Sequence, residues 1–276
     1  MLEQLRLDLM RRRPWLALAL GFVYVFVAYA SAWAFFGRAL SITSLFLITL
    51  LLTPTALKLL KFGECRERMH GLRYFFRNHR DVFEIYLLLS LGVFLGFLAL
   101  GLTVPLASAF DYQLDFLDRV EGMNSALVQE KLGAGTRIDY GDLLGLLDNN
   151  LGVAALAFVL SLFYGAGAIF LIVLNASVFA TFVLFVAQYA PAFSSKVAML
   201  GIFMVHMLPE LAGFILAAIA GGVLSKAITV ERFGSLRFRN VALDAAIIFF
   251  LSAIVIAAAA ALESYVSVAL FNAVLA

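Results

Sequence analysis

Charge is what this chain has least of. Only 14% of its 276 residues are Asp, Glu, Lys or Arg, where a soluble domain carries about a quarter. With 64% hydrophobic residues and a mean hydropathy of +1.00, a water-soluble fold is excluded. A single cysteine, Cys65, excludes an internal disulfide and reads as a plain thiol. Strand-like alternation is missing from the long apolar runs, which excludes a membrane β-barrel. Lipid cannot satisfy loose backbone groups, so the runs must be helices. The expected fold class is an all-α polytopic membrane protein, a single transmembrane domain over residues 1–276.

The basic start "MLEQLRLDLMRRRPW" is followed by a run far longer than a secretory h-region and without a clear cleavage site, so it reads as a retained first span. Seven segments qualify as spans: 14–37, 39–60, 82–105, 150–174, 176–190, 197–224 and 241–262. The fifth, "ASVFATFVLFVAQYA", barely reaches across roughly 30 Å of hydrocarbon at about 1.5 Å per residue. A re-entrant path is the alternative to a crossing.

Charge distribution chooses. Arg6, Arg11, Arg12 and Arg13 precede the first span, Lys58, Lys61, Arg66, Arg68, Arg73, Arg77 and Arg80 follow the second, and Lys226, Arg232, Arg237 and Arg239 follow the sixth. Alternate connections are poor in them, with Arg38 and Lys196 alone after spans one and five. Seven crossings put every basic segment on one side, so the positive-inside rule predicts a multi-pass protein of the cell membrane with a cytoplasmic N-terminus.

Two connections are long. The basic one, 61–81, interleaves aromatics with Lys and Arg, and in so apolar a chain the anionic inner leaflet is its expected partner, not nucleic acid. His70 and His79 there read as isolated surface residues without a role. The acidic one, 106–149, is expected on the outside. Phe110, Leu114 and Leu117 share a helical face beside Asp111, Asp115 and Asp118, a turn is expected at Gly133-Ala134-Gly135, and "DYGDLLGLLDNN" reads as a second short amphipathic helix. The pair covers the membrane face of the bundle or, alternatively, docks protein partners.

The sixth run contains "VHMLPELAGFILAAIAGG" near its centre. His206 and Glu210 are four apart and share a face, which continues as a small-residue ladder through Gly213, Ala217 and Gly221. Pro209 deprives the Val205 carbonyl of its helical donor, so a kink or break is expected there. Span four offers a facing stripe of Ser161, Gly165 and Ala168, with Gly167 beside it and Asn175 as a cap or break before span five. Gly92 and Gly96 in span three form a GxxxG packing pair. Three readings of His206 and Glu210 stay open: a hydrogen-bonded pair that fixes helix register, a proton- or ion-handling site with Asn175, or part of a metal site completed by a symmetric partner. "HMLPE" is not HExxH, "YGAGA" lacks a nucleophilic serine, and there is no P-loop.

Two stretches, "NNLGVAALAFVLSLFYGAGAIFLIVLNASVFATF" (149–182) and "HMLPELAGFILAAIAGGVLSKAI" (206–228), together resemble the stage II sporulation protein M family, also known as the DUF95 group. Asn150, Gly165, Gly167, Asn175, His206, Glu210, Leu211, Ala220 and Gly221 carry the resemblance, and "FFRNHRDVFEIYLLLSLGVFLGF" is similar to archaeal-type members. The resemblance implies a membrane scaffold of the kind that holds wall-degrading proteins at a septum, and names no reaction. The expectation is therefore a non-enzymatic scaffold that self-associates through its glycine-rich faces. A transporter or channel using His206, Glu210 and Asn175 is the alternative. No cofactor is expected beyond a bound ion or lipid.

Overall fold

The computed structural model describes residues 9–10, 12–37, 39–70, 75–121, 143–164, 168–189 and 193–275. Its elements are α1 (Trp15–Phe36), α2 (Leu40–His70), α3 (Phe75–Gly101), α4 (Leu106–Ala109), α5 (Asp111–Glu121), α6 (Leu143–Tyr164), α7 (Ala168–Tyr189), α8 (Phe193–Val230) and α9 (Leu236–Ala261). A π-helix (Leu262–Ser267) then leads into α10 (Val268–Leu275). There is no strand among the described residues, and seven of these helices are long and apolar enough to cross a membrane. The all-α polytopic class stands. Consecutive spans reverse direction, so the bundle has two ends. One holds the α1–α2 turn at Gly37, and the other holds the α8–α9 turn, where Gly234 has φ +79° and Ser235 caps α9 by accepting from the Phe238 N–H at 3.1 Å.

Several boundaries differ from expectation. The helix of the fourth span ends at Tyr164 and that of the fifth begins at Ala168, so Asn175 lies inside the fifth, while Gly165 and Gly167 lie outside the described residues. The fifth span thereby becomes α7, with 22 residues, long enough for a full crossing. "DYGDLLGLLDNN" is not a separate helix from Leu143 onward: its leucines start α6, which runs unbroken to Tyr164. The Gly133-Ala134-Gly135 turn lies outside the described residues. The expected break at Pro209 is absent, because α8 runs without interruption for 38 residues with Pro209 inside. One lost hydrogen bond is a local defect. A helix packed on several sides, two thirds buried over its span window, holds its shape around it.

Lipid tails are as apolar as leucine, so close packing and hydrogen bonds hold such a bundle together. Accordingly α8 sits at the centre against α6, α7 and α9, while α1 pairs with α3 through glycines. The core includes Phe94, Phe97, Phe110, Phe214 and Leu211. Phe110 stacks edge-on to Phe97 of α3, with ring centroids 5.8 Å apart.

The connection between α3 and α6 is tied down by a residue the sequence pattern passed over. In α5 the buried face is Phe110, Gln113 and Leu117, whereas Leu114 is half-buried and Asp111, Asp115 and Asp118 are exposed. Gln113 is fully enclosed: its Oε1 accepts from the Ser41 hydroxyl of α2, and its Nε2 donates to Ser177 Oγ of α7 at 3.3 Å. Gln113→Leu would leave Ser41 without that acceptor in a buried site, at a cost of about 1–3 kcal/mol. The expected result is faster amide hydrogen exchange across 111–121 with the spans unchanged, measured by mass spectrometry.

Candidate functional site

The motif on α8 is buried where expected, but it is wired differently. His206 and Glu210 are 8% and 7% exposed. His206 turns to the far end of the chain, its Nδ1 lying 2.8 Å from Ser267 Oγ in the π-helix. The Ser267 hydroxyl also lies 3.5 Å from the Ile202 carbonyl. Which of the imidazole and the hydroxyl donates in the short contact is set by the tautomer of the ring. The ring also sits edge-on to Phe203 at 6.0 Å, which itself packs edge-on to Phe182 of α7 at 4.6 Å.

Two further contacts set the register of α8 against α9. Gly213 accepts from Ser252 Oγ through its carbonyl at 2.8 Å. Its missing side chain makes room for Ile256, whose Cγ1 would lie 2.5 Å from a Cβ at that position. Going outward along the antiparallel pair, Gly213 meets Ile256 and His206 meets Ser267. Glu263 precedes Ser267 by the same four residues that separate Glu210 from His206. On the other side, a side chain at Gly221 would overlap the Phe158 carbonyl of α6 and come 2.9 Å from Ser161 Cβ. Because α6 and α8 run in the same direction, Asn150, 5% exposed, lies near the level of Gly213.

The remaining expected residues divide. Ala217 is fully buried within the ladder between Gly213 and Gly221. Gly92 and Gly96 pack on α1, against Leu18 and Phe22 and against Phe22 and Val25. Asn175 is inside α7, where its Nδ2 donates to the Leu171 carbonyl at 2.8 Å, so its amide serves its own helix and not a break or cap. Among the described residues no group of three or more His, Cys, Asp or Glu side chains is placed to hold a metal ion. A cavity of about 20 Å³ lies elsewhere, between α2, α3 and α7, lined by Leu52, Tyr86, Ser90, Val93 and Ile169 among others. That is room for roughly one water.

Sequence reasoning missed Ser267, Ser252 and the π-helix, for which a hydropathy pattern has no signal. It also misjudged His79. That residue is buried, with Nε2 2.7 Å from Asp244 Oδ2 across 165 residues of sequence, and it joins α3 to α9 near the Gly234 end.

A family model described as stage II sporulation protein M matches residues 78–268. The match begins just before His79 and ends just after Ser267, so both buried histidine pairs fall inside it. No curated protein and no solved structure matches the chain.

Proposed function

The chain belongs to the stage II sporulation protein M family, and we propose that it works as a non-enzymatic scaffold in the cell membrane. In this reading the N-terminus is cytoplasmic, membrane lipids surround the bundle, further copies of the chain associate with it, and protein partners dock on the α5 side. The observation that carries it is the anchoring of α5. A helix fixed to two spans through the enclosed Gln113, with Asp111, Asp115 and Asp118 exposed, is a rigid polar platform at one end of the bundle. A platform needs rigidity more than it needs a cavity.

In this reading self-association does not run through the described glycines of the first-expected packing faces. Gly92, Gly96, Gly213 and Gly221 are each filled by another helix of the same chain. Open glycines remain on α6, the least buried span, where Gly145 and Gly152 have nothing within 4 Å of a Cβ position. Small residues on such a face let a second helix approach closely. The test is oxidative cross-linking in native membranes in a Cys65→Ser background. Gly152→Cys is expected to give a covalent dimer, and Val27→Cys, on the exposed side of α1, is expected to give none. A chain that is strictly monomeric in both detergent and lipid would overturn the self-association.

A further inference from the structure

The turn that joins α8 to α9 gathers cations without matching them. Between Lys226 and Asp244 the sequence places Arg232, Arg237 and Arg239 against one acidic residue, Glu231. All three arginines are exposed, and among the described residues no ion pair engages any of them. Asp244, the next carboxylate along α9, is buried and taken by His79.

The same turn is apolar where a water-facing turn has no reason to be. Phe233 and Leu236 are exposed among the arginines, and the Phe233 ring packs on Phe238 with centroids 4.9 Å apart. Its shape is fixed by the chain itself. Gly234 takes φ +79°, the Ser235 N–H donates to the Arg232 carbonyl at 3.0 Å, and the Ser235 side chain caps α9. A surface already held in shape loses little entropy on binding.

Beyond Arg239 the apolar surface continues into the span. Leu243, Ile247, Phe250 and Ile254 follow at i+4 and i+3 steps, and all four are exposed. At about 1.5 Å per residue the stripe from Arg239 to Ile254 runs about 22 Å, more than the roughly 15 Å depth of one leaflet's hydrocarbon. A guanidinium matches a phosphate through paired hydrogen bonds, and an apolar stripe matches acyl chains. One molecule carries both in that order. An acidic peptide or a nucleic acid would meet the arginines and leave the stripe unused.

We infer that the α8–α9 turn and the adjoining face of α9 form a binding site for an anionic phospholipid. Arg232, Arg237 and Arg239 hold the headgroup phosphate, while Phe233, Leu236 and the stripe beyond Arg239 line the acyl chains. The site goes beyond the scaffold reading and does not depend on it, nor on which side of the membrane the turn faces.

The test reads lipid contact in the stripe with the full chain in proteoliposomes. The chain has two tryptophans, Trp15 and Trp33, so Ile247→Trp in a Trp15→Phe/Trp33→Phe background reports from the stripe alone. A Trp15→Phe variant keeps only Trp33, near the Gly37 end, as the distant control. Each protein is placed in mixed phosphatidylcholine–phosphatidylglycerol vesicles in which one lipid or the other carries brominated acyl chains, at equal mole fractions. Brominated phosphatidylglycerol is expected to quench the stripe tryptophan more than brominated phosphatidylcholine does, whereas Trp33 is quenched equally by both. Raising sodium chloride from about 0.01 M to about 1 M should shrink the preference, because the Debye length falls from about 30 Å to about 3 Å. Adding Arg237→Gln should lower the preference about fivefold, and changing all three arginines to Gln should remove it. Equal quenching by the two lipids in the stripe overturns the site. So does a preference equally strong at Trp33, or one that salt leaves intact. The salt arm needs no arginine variant, so it decides the question even where the triple variant fails to fold.

Discussion

Gly92→Leu is expected to abolish recovery of folded, monodisperse protein, and even Gly92→Ala is expected to be strongly destabilising. A Cβ at residue 92 would overlap the Leu18 carbonyl oxygen of α1 and lie 3.0 Å from the Phe22 nitrogen. The contact is reciprocal: a Cβ at Gly21 would overlap the Leu89 carbonyl of α3 and sit 3.1 Å from the Val93 nitrogen. These neighbours are helix backbone, which cannot rotate away as a flexible side chain can. Overpacking of ordinary cores costs about 1–3 kcal/mol, and a backbone-against-backbone contact belongs at or above the top of that range. Separating α1 from α3 also forfeits the dispersion that substitutes for the hydrophobic effect in lipid. The control has the opposite sign. Gly152→Ala, in open space on α6, should gain about 0.5–1 kcal/mol of helix propensity in the monomer. SDS titration of the refolded protein, followed by circular dichroism, reads both. Equal midpoints for Gly92→Ala and Gly152→Ala would contradict the close α1–α3 contact.

That contact shows how far the sequence could be read. Gly92 and Gly96 are legible as a packing face from spacing alone. Their partner is not, because Ala17 and Gly21 are only two of many small residues on α1 and the contact joins residues some seventy positions apart. Number and order of the spans follow from hydropathy, since the penalty for loose backbone in lipid leaves few alternatives. Boundaries fail where composition and conformation part company. Gly165-Ala166-Gly167 is apolar enough to read as the inside of a span, while Asn175 is polar enough to read as its end. Asn175 nonetheless costs little inside α7, because its amide is satisfied by the carbonyl one turn back.

The site is legible by half. The spacing of His206 and Glu210 places both on the buried side of α8, yet the i, i+4 rule says which residues share a face, not which are bonded. His206 instead meets Ser267, sixty-one positions on, in a segment whose π-geometry no 3.6-residue periodicity announces. Pro209 misleads in the other direction. Its chemistry predicts a defect correctly, but only tertiary packing decides whether one missing hydrogen bond becomes a break. His79 was the largest misjudgement. Five arginines between Arg66 and Arg80 make the stretch look like surface, whereas the residue that buries the imidazole, Asp244, is encoded at the start of the last span.

Removing either member of that pair should be the costliest polar substitution among the described spans. His79 and Asp244 are 7% and 1% exposed, with 2.7 Å between Nε2 and Oδ2. From Asp244 to Ala261 the only other polar side chain on the helix is Ser252, which serves α8, so the carboxylate has little other use there. A buried pair of this kind contributes modestly when intact, because desolvation offsets most of the attraction. Breaking it by removing one partner takes from the other its buried counterpart, at a cost of about 3–5 kcal/mol. Asp244→Ala and His79→Ala are each expected to lose that much in SDS unfolding. The double variant His79→Leu/Asp244→Leu should recover most of it, since two leucines ask for no polar partner. The two alanine losses should also be strongly non-additive in the double-alanine variant, with a coupling of about 2–3 kcal/mol. Additive losses would mean that the imidazole and the carboxylate are held by other neighbours and do not fasten α3 to α9. The pair's position explains why the fastening matters. It ties α3, the helix on which α1 packs, to α9, whose far end carries the π-helix and Ser267. The lever that positions His206 at one end of the bundle is therefore anchored at the other end by His79.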